Sequence, residues 1–458
     1  MAKHRYFSRD KEFYKTLLRL TATIALQNVI VSGVNLADNI MLGGYSESAL
    51  SGVALANQVQ FMLQMVVFGV GEGLVVIGSQ YWGKKDTSAI KKLLNITLVF
   101  TLAVTVAFLL VVRLFPVFTL SLYTNETEVI AEGAEYIKIV CYSYIFFGLT
   151  QTLLSGMKTV ETVRLGLILS IITLFVNIAL NYCFIYGHFG FPRMGSAGAA
   201  LATLIARILE TVIVTVYYLF IDKKLNMKVK HFFGWSFTMC RDYVKVATPV
   251  VASGTIWGIA MSFQASILGH LGATTIAANS IAGNIFGIVS VAAYGCSTAS
   301  GIFMGKTIGR GAELPEIKEY VRSMQIIYIG IGLLSGSILF LTKDTIISLF
   351  SVTPDAIELA RKFTIVLSVT LVGTAYQVSC LTGIVRGGGD TRFVLINDSI
   401  FMWLIVLPFS YLAAFKLNWP PVAVFFCLKS DQILKCFVAI VKVNSYNWVR
   451  HLTREQEA

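Results

Sequence analysis

The chain reads as an all-α polytopic membrane protein, with about twelve transmembrane helices in two six-helix lobes related by a pseudo-two-fold axis. Three observations carry this reading. The 458 residues are 56% hydrophobic and only 14% charged, with a mean hydropathy of +0.72, too little charged surface for a soluble protein of this length. Apolar runs of spanning length recur between short polar loops; a helix rising about 1.5 Å per residue needs roughly 20 residues to cross a hydrocarbon core of about 30 Å. Finally, the chain repeats itself. Leu42-Gly43 returns as Leu268-Gly269, Phe68-Gly69 as Tyr294-Gly295 and Gly83 as Gly309, each 226 residues on.

Taken in order, the runs place spans at 17–41, 50–80, 93–113, 131–155, 165–187, 195–220, 244–269, 276–305, 322–342, 358–384, 393–415 and 421–443. The first is too long for a signal-peptide core and has no small-residue cleavage site after it, so it is an uncleaved span. The second half of the unit repeats as well: Leu120-Ser121-Leu122-Tyr123 returns as Ile347-Ser348-Leu349-Phe350 and Ser155-Gly156 as Thr382-Gly383, now 227 residues on. Each copy holds an even number of spans, so both enter the membrane from the same side and the repeat is parallel. The resulting plan is a cytoplasmic N-terminal segment (1–16), an N-lobe (17–221), a polar linker (222–243), a C-lobe (244–443) and a C-terminal tail (444–458).

The net charge of +12 reflects membrane orientation rather than nucleic-acid binding. Arg9, Lys11, Lys15 and Arg19, then Lys84, Lys85, Lys91 and Lys92, the central-loop lysines, Lys306 and Arg310, Arg386 and Arg392, and Lys442, Arg450 and Arg454 share one side. The other side holds only Arg113, Arg193, Lys343, Arg361, Lys362 and Lys416. Both termini are therefore expected in the cytoplasm, with the chain multi-pass in the plasma (inner) membrane. The seven scattered cysteines contain no CxxC pair, which excludes a disulfide framework or zinc site from the expectation. Gly69-Val70-Gly71-Glu72-Gly73 follows no strand, and Arg386-Gly387-Gly388-Gly389-Asp390-Thr391-Arg392 lacks the GK[ST] ending, so neither is a nucleotide-binding loop.

Chemistry concentrates on Asp38, a carboxylate inside the first span and hence a costly group with a functional reading. Ser170, Thr173, Asn177 and Asn181 form a polar stripe on one face of the fifth span,, and Thr203 stands on the sixth. Asp38 lies about 28 Å from the inner edge and Asn181 about 26 Å, both in the outer half of the bilayer. A carboxylate, two amide oxygens and a hydroxyl at one depth suit a hard cation or a proton; the same groups also serve in helix bundles to bond neighbouring backbone. Glu72 is a second acid, either a relay or a group paired at the interface. Arg207 with Glu210 and Asp431 with Lys435 neutralise each other at helical spacing. Asn57, Gln60, Gln264, Asn279, Asn284 and Gln377 are candidates to line a substrate cleft between the lobes.

Asp38 before Asn39-Ile40-Met41-Leu42-Gly43, the loop carrying Arg386 and Arg392, the run Gly195-Ser196-Ala197-Gly198-Ala199-Ala200-Leu201-Ala202-Thr203, and Asn177 with Asn181 together resemble the multidrug and toxic compound extrusion family, over nearly the whole chain. The resemblance implies a drug/cation antiporter driven by Na⁺ or H⁺, without a cofactor, in which Asp38 is the coupling acid and Asn177, Asn181 and Thr203 help form its cation site. Trp257 and Thr374 stand where other members carry C-lobe acids. The expectation is a monomeric exporter of amphipathic, cationic organic compounds working by alternating access in the lipid bilayer. A lipid-linked oligosaccharide flippase of the same wider fold group is the alternative, and would need a strongly basic cleft. An intramembrane enzyme would need a catalytic constellation that the sequence does not contain.

Overall fold

A computed structural model describes residues 7–124, 126–348, 350 and 353–454. The first residues of the expected segment 1–16, the last of 444–458, and Leu349 of the repeat lie outside them. The described residues are helical with no strand: α1 (Lys11–Gly43), α2 (Glu47–Gly83), α3 (Thr87–Leu114), α4 (Pro116–Ser121), α5 (Thr127–Val140), α6 (Ser143–Thr159), α7 (Arg164–Tyr186), α8 (Gly195–Val216), α9 (Phe237–His270), α10 (Ala273–Val289), α11 (Val291–Gly309), α12 (Leu314–Ile347), α13 (Pro354–Val378), α14 (Thr391–Ser399), α15 (Leu407–Phe415), α16 (Pro421–Lys429) and α17 (Asp431–Ser445). Short π-helical segments continue α8, α13 and α14.

Among the described residues, nine helical segments are long and apolar enough to cross a membrane unbroken. Two further spans are bent pairs, α5 with α6 at 54° and α10 with α11 at 44°. The expected last span, 421–443, is divided between α16 and α17, each too short to cross alone, and Lys429, Asp431 and Lys435 interrupt its apolar run.

The chain divides into two compact units. One comprises Leu26–Gly78 and Asp86–Val251. Its core gathers Leu42, Leu63, Tyr136, Ile137, Tyr144, Ile185 and Ala200. Glycine permits the close crossings: a Cβ on Gly198 would lie 2.6 Å from the Phe184 carbonyl oxygen, and one on Gly52 2.6 Å from the Gly133 nitrogen,. Hydroxyl pairs join α3 to α6 (Thr101 to Thr152, 2.8 Å) and α6 to α8 (Thr150 to Thr211, 3.0 Å). The polar linker is pinned to the same unit, where the Asn95 amide donates to the carbonyls of His231 and Gly234, and Lys224 donates to that of Val160.

The other unit comprises residues up to Ala25, Ser79–Lys85 and Ala252–Ala458. Phe363 and Phe425 stack at its core, with centroids 4.0 Å apart. The glycine-rich loop after α13 holds the C-terminal segment. Buried Trp448 occupies the space a Cβ on Gly388 would fill; Arg450 donates its backbone N–H to Gly388 (2.9 Å). Asp390 caps α14 and pairs with Lys442 at 2.8 Å and Arg450 at 2.9 Å. Gln80 accepts from the Leu452 N–H and donates to the Arg450 carbonyl. The N-terminal residues dock on α12, far along the chain: Ser8 N–H donates to Ser323, 315 residues away, and Tyr320 donates to Asp10, 310 residues away.

Candidate functional site

Asp38 stands five residues before the end of α1, half-buried. Its carboxylate Oδ1 accepts a 2.5 Å hydrogen bond from the Asn181 Nδ2 of α7. The same nitrogen donates to Asn177 Oδ1, one turn back, at 3.1 Å. Asn181 is fully buried and Asn177 nearly so. The Oδ1 of Asn181 is left without a hydrogen-bond partner, an unusual state for a buried amide oxygen. Spacing on α7 produces the arrangement: residues four apart lie on one face, and the small Gly198 lets α8 close against α7 beside them,.

Around this core stand Thr203, which the sequence placed in the site, and two groups that the sequence did not connect to it, Tyr136 and Arg207. The Thr203 hydroxyl of α8 lies beside the Tyr136 phenol of α5, and the Arg207 charge acts on both Asp38 and Tyr136. Arg207 also bonds Glu210 at 2.7 Å and lies 5.3 Å over the Phe147 ring. The sequence identified the Arg207–Glu210 pair and missed its proximity to Asp38. The available signal was that Arg207 follows Thr203 by four residues and so shares its face. Ser170 and Thr173, the other members of the α7 stripe, turn their hydroxyls back to the carbonyls of Gly166 and Leu169. Glu72 is half-buried on α2 and is not among the groups bonded to Asp38.

The cleft candidates separate. Asn57 is exposed and Gln60 half-buried on α2; Asn284 is exposed and Asn279 half-buried on α10. Gln377 is buried and donates to Gln432 at 2.9 Å, which also accepts from Thr374. Gln264, the repeat equivalent of Asp38, is buried and accepts from Lys429 at 3.1 Å. The expected Asp431–Lys435 pair exists at 3.3 Å, but Lys435 is closer to Asp398 of α14, at 2.9 Å. Ser253 donates to the other Asp398 oxygen and Gln432 to Asp431. No group of three or more His, Cys, Asp or Glu able to hold a metal occurs among the described residues.

A doubled bundle of membrane-spanning helices, with one carboxylate held by buried amides inside its first copy, has the architecture of a secondary transporter. The MatE family model matches residues 23–183 and again 251–412. The chain therefore belongs to the MatE family, the multidrug and toxic compound extrusion transporters, and is a membrane transporter rather than an enzyme. The two matches repeat the internal duplication read from the sequence. Among curated proteins, the probable multidrug resistance protein NorM of Thermotoga maritima is 25% identical, covering 97% of this chain and 96% of the relative. The multidrug resistance protein NorM of Photobacterium profundum is 27% identical over 87% of each. Among solved structures, the Vibrio cholerae MATE transporter VcmN in its bent form superposes with a TM-score of 0.83 at 17% identity, over 95% of this chain and 97% of that one. A MOP superfamily transporter from Pyrococcus furiosus superposes at 0.84 and 18%, over 96% and 98%. At these identities the structures establish the shared fold.

Proposed function

We propose that this protein exports amphipathic organic cations across the plasma membrane in exchange for an inward-moving Na⁺ bound at Asp38. The observation that carries the reading is the Asp38–Asn181–Asn177 chain with its orphaned buried oxygen. One carboxylate matches one monovalent charge, and neutral amide and hydroxyl oxygens complete a site for a hard cation. A proton on the same carboxylate would need none of those ligands. The names of the NorM relatives support a multidrug substrate range.

In this reading the lobes 17–221 and 244–443 alternate access to a cleft, with both termini in the cytoplasm. Ion binding favours one state only by the difference in its affinity for the two. The test is ethidium movement in proteoliposomes with Na⁺ and pH gradients imposed separately. Uphill ethidium transport driven by Na⁺ alone is expected. Transport driven only by a pH gradient would replace Na⁺ by H⁺, and no gradient-driven transport of any amphipathic cation would overturn the export reading.

A further inference from the structure

A cavity of about 280 Å³ lies between α3, α6, α8 and the linker, and none of its lining residues belongs to the Asp38 site. Val99 and Leu102 of α3, Leu153 of α6, Thr215 of α8 and Phe232 of the linker form its mostly apolar wall. Val99 is half exposed, so the cavity reaches the surface of the unit. A dry apolar cavity of about 150 Å³ already takes a benzene ring, and this larger one has room for a segment of hydrocarbon chain.

Helix α3 carries a graded face beside it. Lys91, Asn95, Val99 and Leu102 follow one another at intervals of four, four and three residues, so one helix face runs from a charge through an amide to hydrocarbon. The linker adds to the charged end: the Lys228 and Lys230 charges act on both Lys91 and His231. Asp222, an acid whose charge also reaches Lys91, accepts from the backbone N–H groups of Lys224 and Leu225. Trp235 and Phe237, next along the linker, are exposed, as aromatic residues are at the headgroup level of a bilayer.

Asn95 stands where the two chemistries meet. It lines the cavity and is only 4% exposed. Its Nδ2 donates to the carbonyls of His231 and Gly234, but its Oδ1 has no hydrogen-bond partner among the described residues. A buried amide oxygen in that state lacks a donor that a ligand can supply.

We infer that the cavity and the lysines beside it bind one anionic phospholipid with a hydroxylated headgroup, of the phosphatidylglycerol type, from the leaflet on the linker's side. One acyl chain would enter the cavity, the phosphate would sit among Lys91, Lys228 and Lys230, and a headgroup hydroxyl would donate to Asn95 Oδ1. The same lysines repel an organic cation from this place. Lipid held here would fasten the linker to the ends of α3, α6 and α8, whichever ion or compound the protein moves.

The full-length protein is equilibrated in micelles with equal amounts of dioleoyl phosphatidylglycerol and dioleoyl phosphatidylcholine and washed, and its retained lipids are extracted and counted by mass spectrometry. The wild type should retain phosphatidylglycerol over phosphatidylcholine by about tenfold. Lys228→Gln with Lys230→Gln, both at exposed positions, should bring the ratio close to one. Lys11→Gln with Lys15→Gln, which removes two exposed charges from α1, should leave it unchanged. Val99→Trp fills the cavity while keeping every lysine, and should lower the amount of phosphatidylglycerol retained. Unfolding temperatures measured without added lipid confirm that each variant is folded. A wild-type ratio near one, an equal fall in the α1 variant, or retention untouched by Val99→Trp overturns the site.

Discussion

Gly295 of α11 lies against Ala25 of α1 so closely that a Cβ on the glycine would sit 3.1 Å from the Ala25 nitrogen and 2.9 Å from the Thr21 carbonyl oxygen. The relationship recurs at its repeat image. Gly69 corresponds to Gly295 and Val251 to Ala25, each 226 residues apart, and a Cβ on Gly69 would lie 2.7 Å from the Val251 Cα. Both glycines are conserved between the copies because both face a helix backbone, where no side chain can move aside. Gly69→Ala and Gly295→Ala should each destabilise the detergent-purified protein by about 1–3 kcal/mol, read as a lower unfolding temperature. Gly330→Ala, with nothing within 4 Å of its Cβ, is the control; equal shifts in all three variants would contradict the packing account.

Asp38→Asn keeps the size of the side chain and its contact with Asn181 but removes the charge. Expression and binding of an amphipathic cation should persist, while gradient-driven efflux falls to the level of empty vesicles. A variant that transports at the wild-type rate would show that coupling resides elsewhere.

Asn181→Ala and Thr203→Ala address the ion. At fixed pH, each should raise the Na⁺ concentration for half-maximal transport about tenfold, corresponding to one lost ligand of about 1.4 kcal/mol. An unchanged Na⁺ response in both would favour a proton carried on Asp38.

Lys435 separates a structural from a transport role in the second unit. Lys435→Met leaves Asp398 and Asp431 facing each other without their shared cation, and should cost about 3–5 kcal/mol of stability. Lys435→Met combined with Asp398→Asn and Asp431→Asn should recover most of it. If thermal unfolding of the triple variant is as low as that of the single one, the triad is not held by charge.

His231, in the linker, accepts the Lys228 backbone N–H on Nδ1 at 3.0 Å. Desolvation and the charges of Lys91, Lys230 and Lys228 push its pKa down. Because the folded value lies below the ordinary histidine value of about 6.5, the neutral ring stabilises the turn above that pH, and the contribution is lost as pH falls through the folded value. The hydrogen-exchange protection of residues 228–234, taken relative to the intrinsic exchange rate at each pH, should fall on acidification in the wild type, and His231→Gln should flatten that dependence.

The sequence alone determined the helical membrane class, the duplication and the acid. Apolar run length is a one-dimensional quantity set by bilayer thickness, and the glycine pattern keeps its spacing through the repeat. It also placed Asn177 and Asn181 on one face, since helical periodicity is local. Tertiary structure decided which helices meet. It set Asn181 against Asp38, 143 residues away, brought the Arg207 charge to the same site, gave Lys435 a second and nearer carboxylate in Asp398, and bonded Lys429 to the Gln264 amide, 165 residues away. Pairing between helices depends on crossing angles and on depth in the membrane, and neither is encoded in the spacing of residues along a single helix.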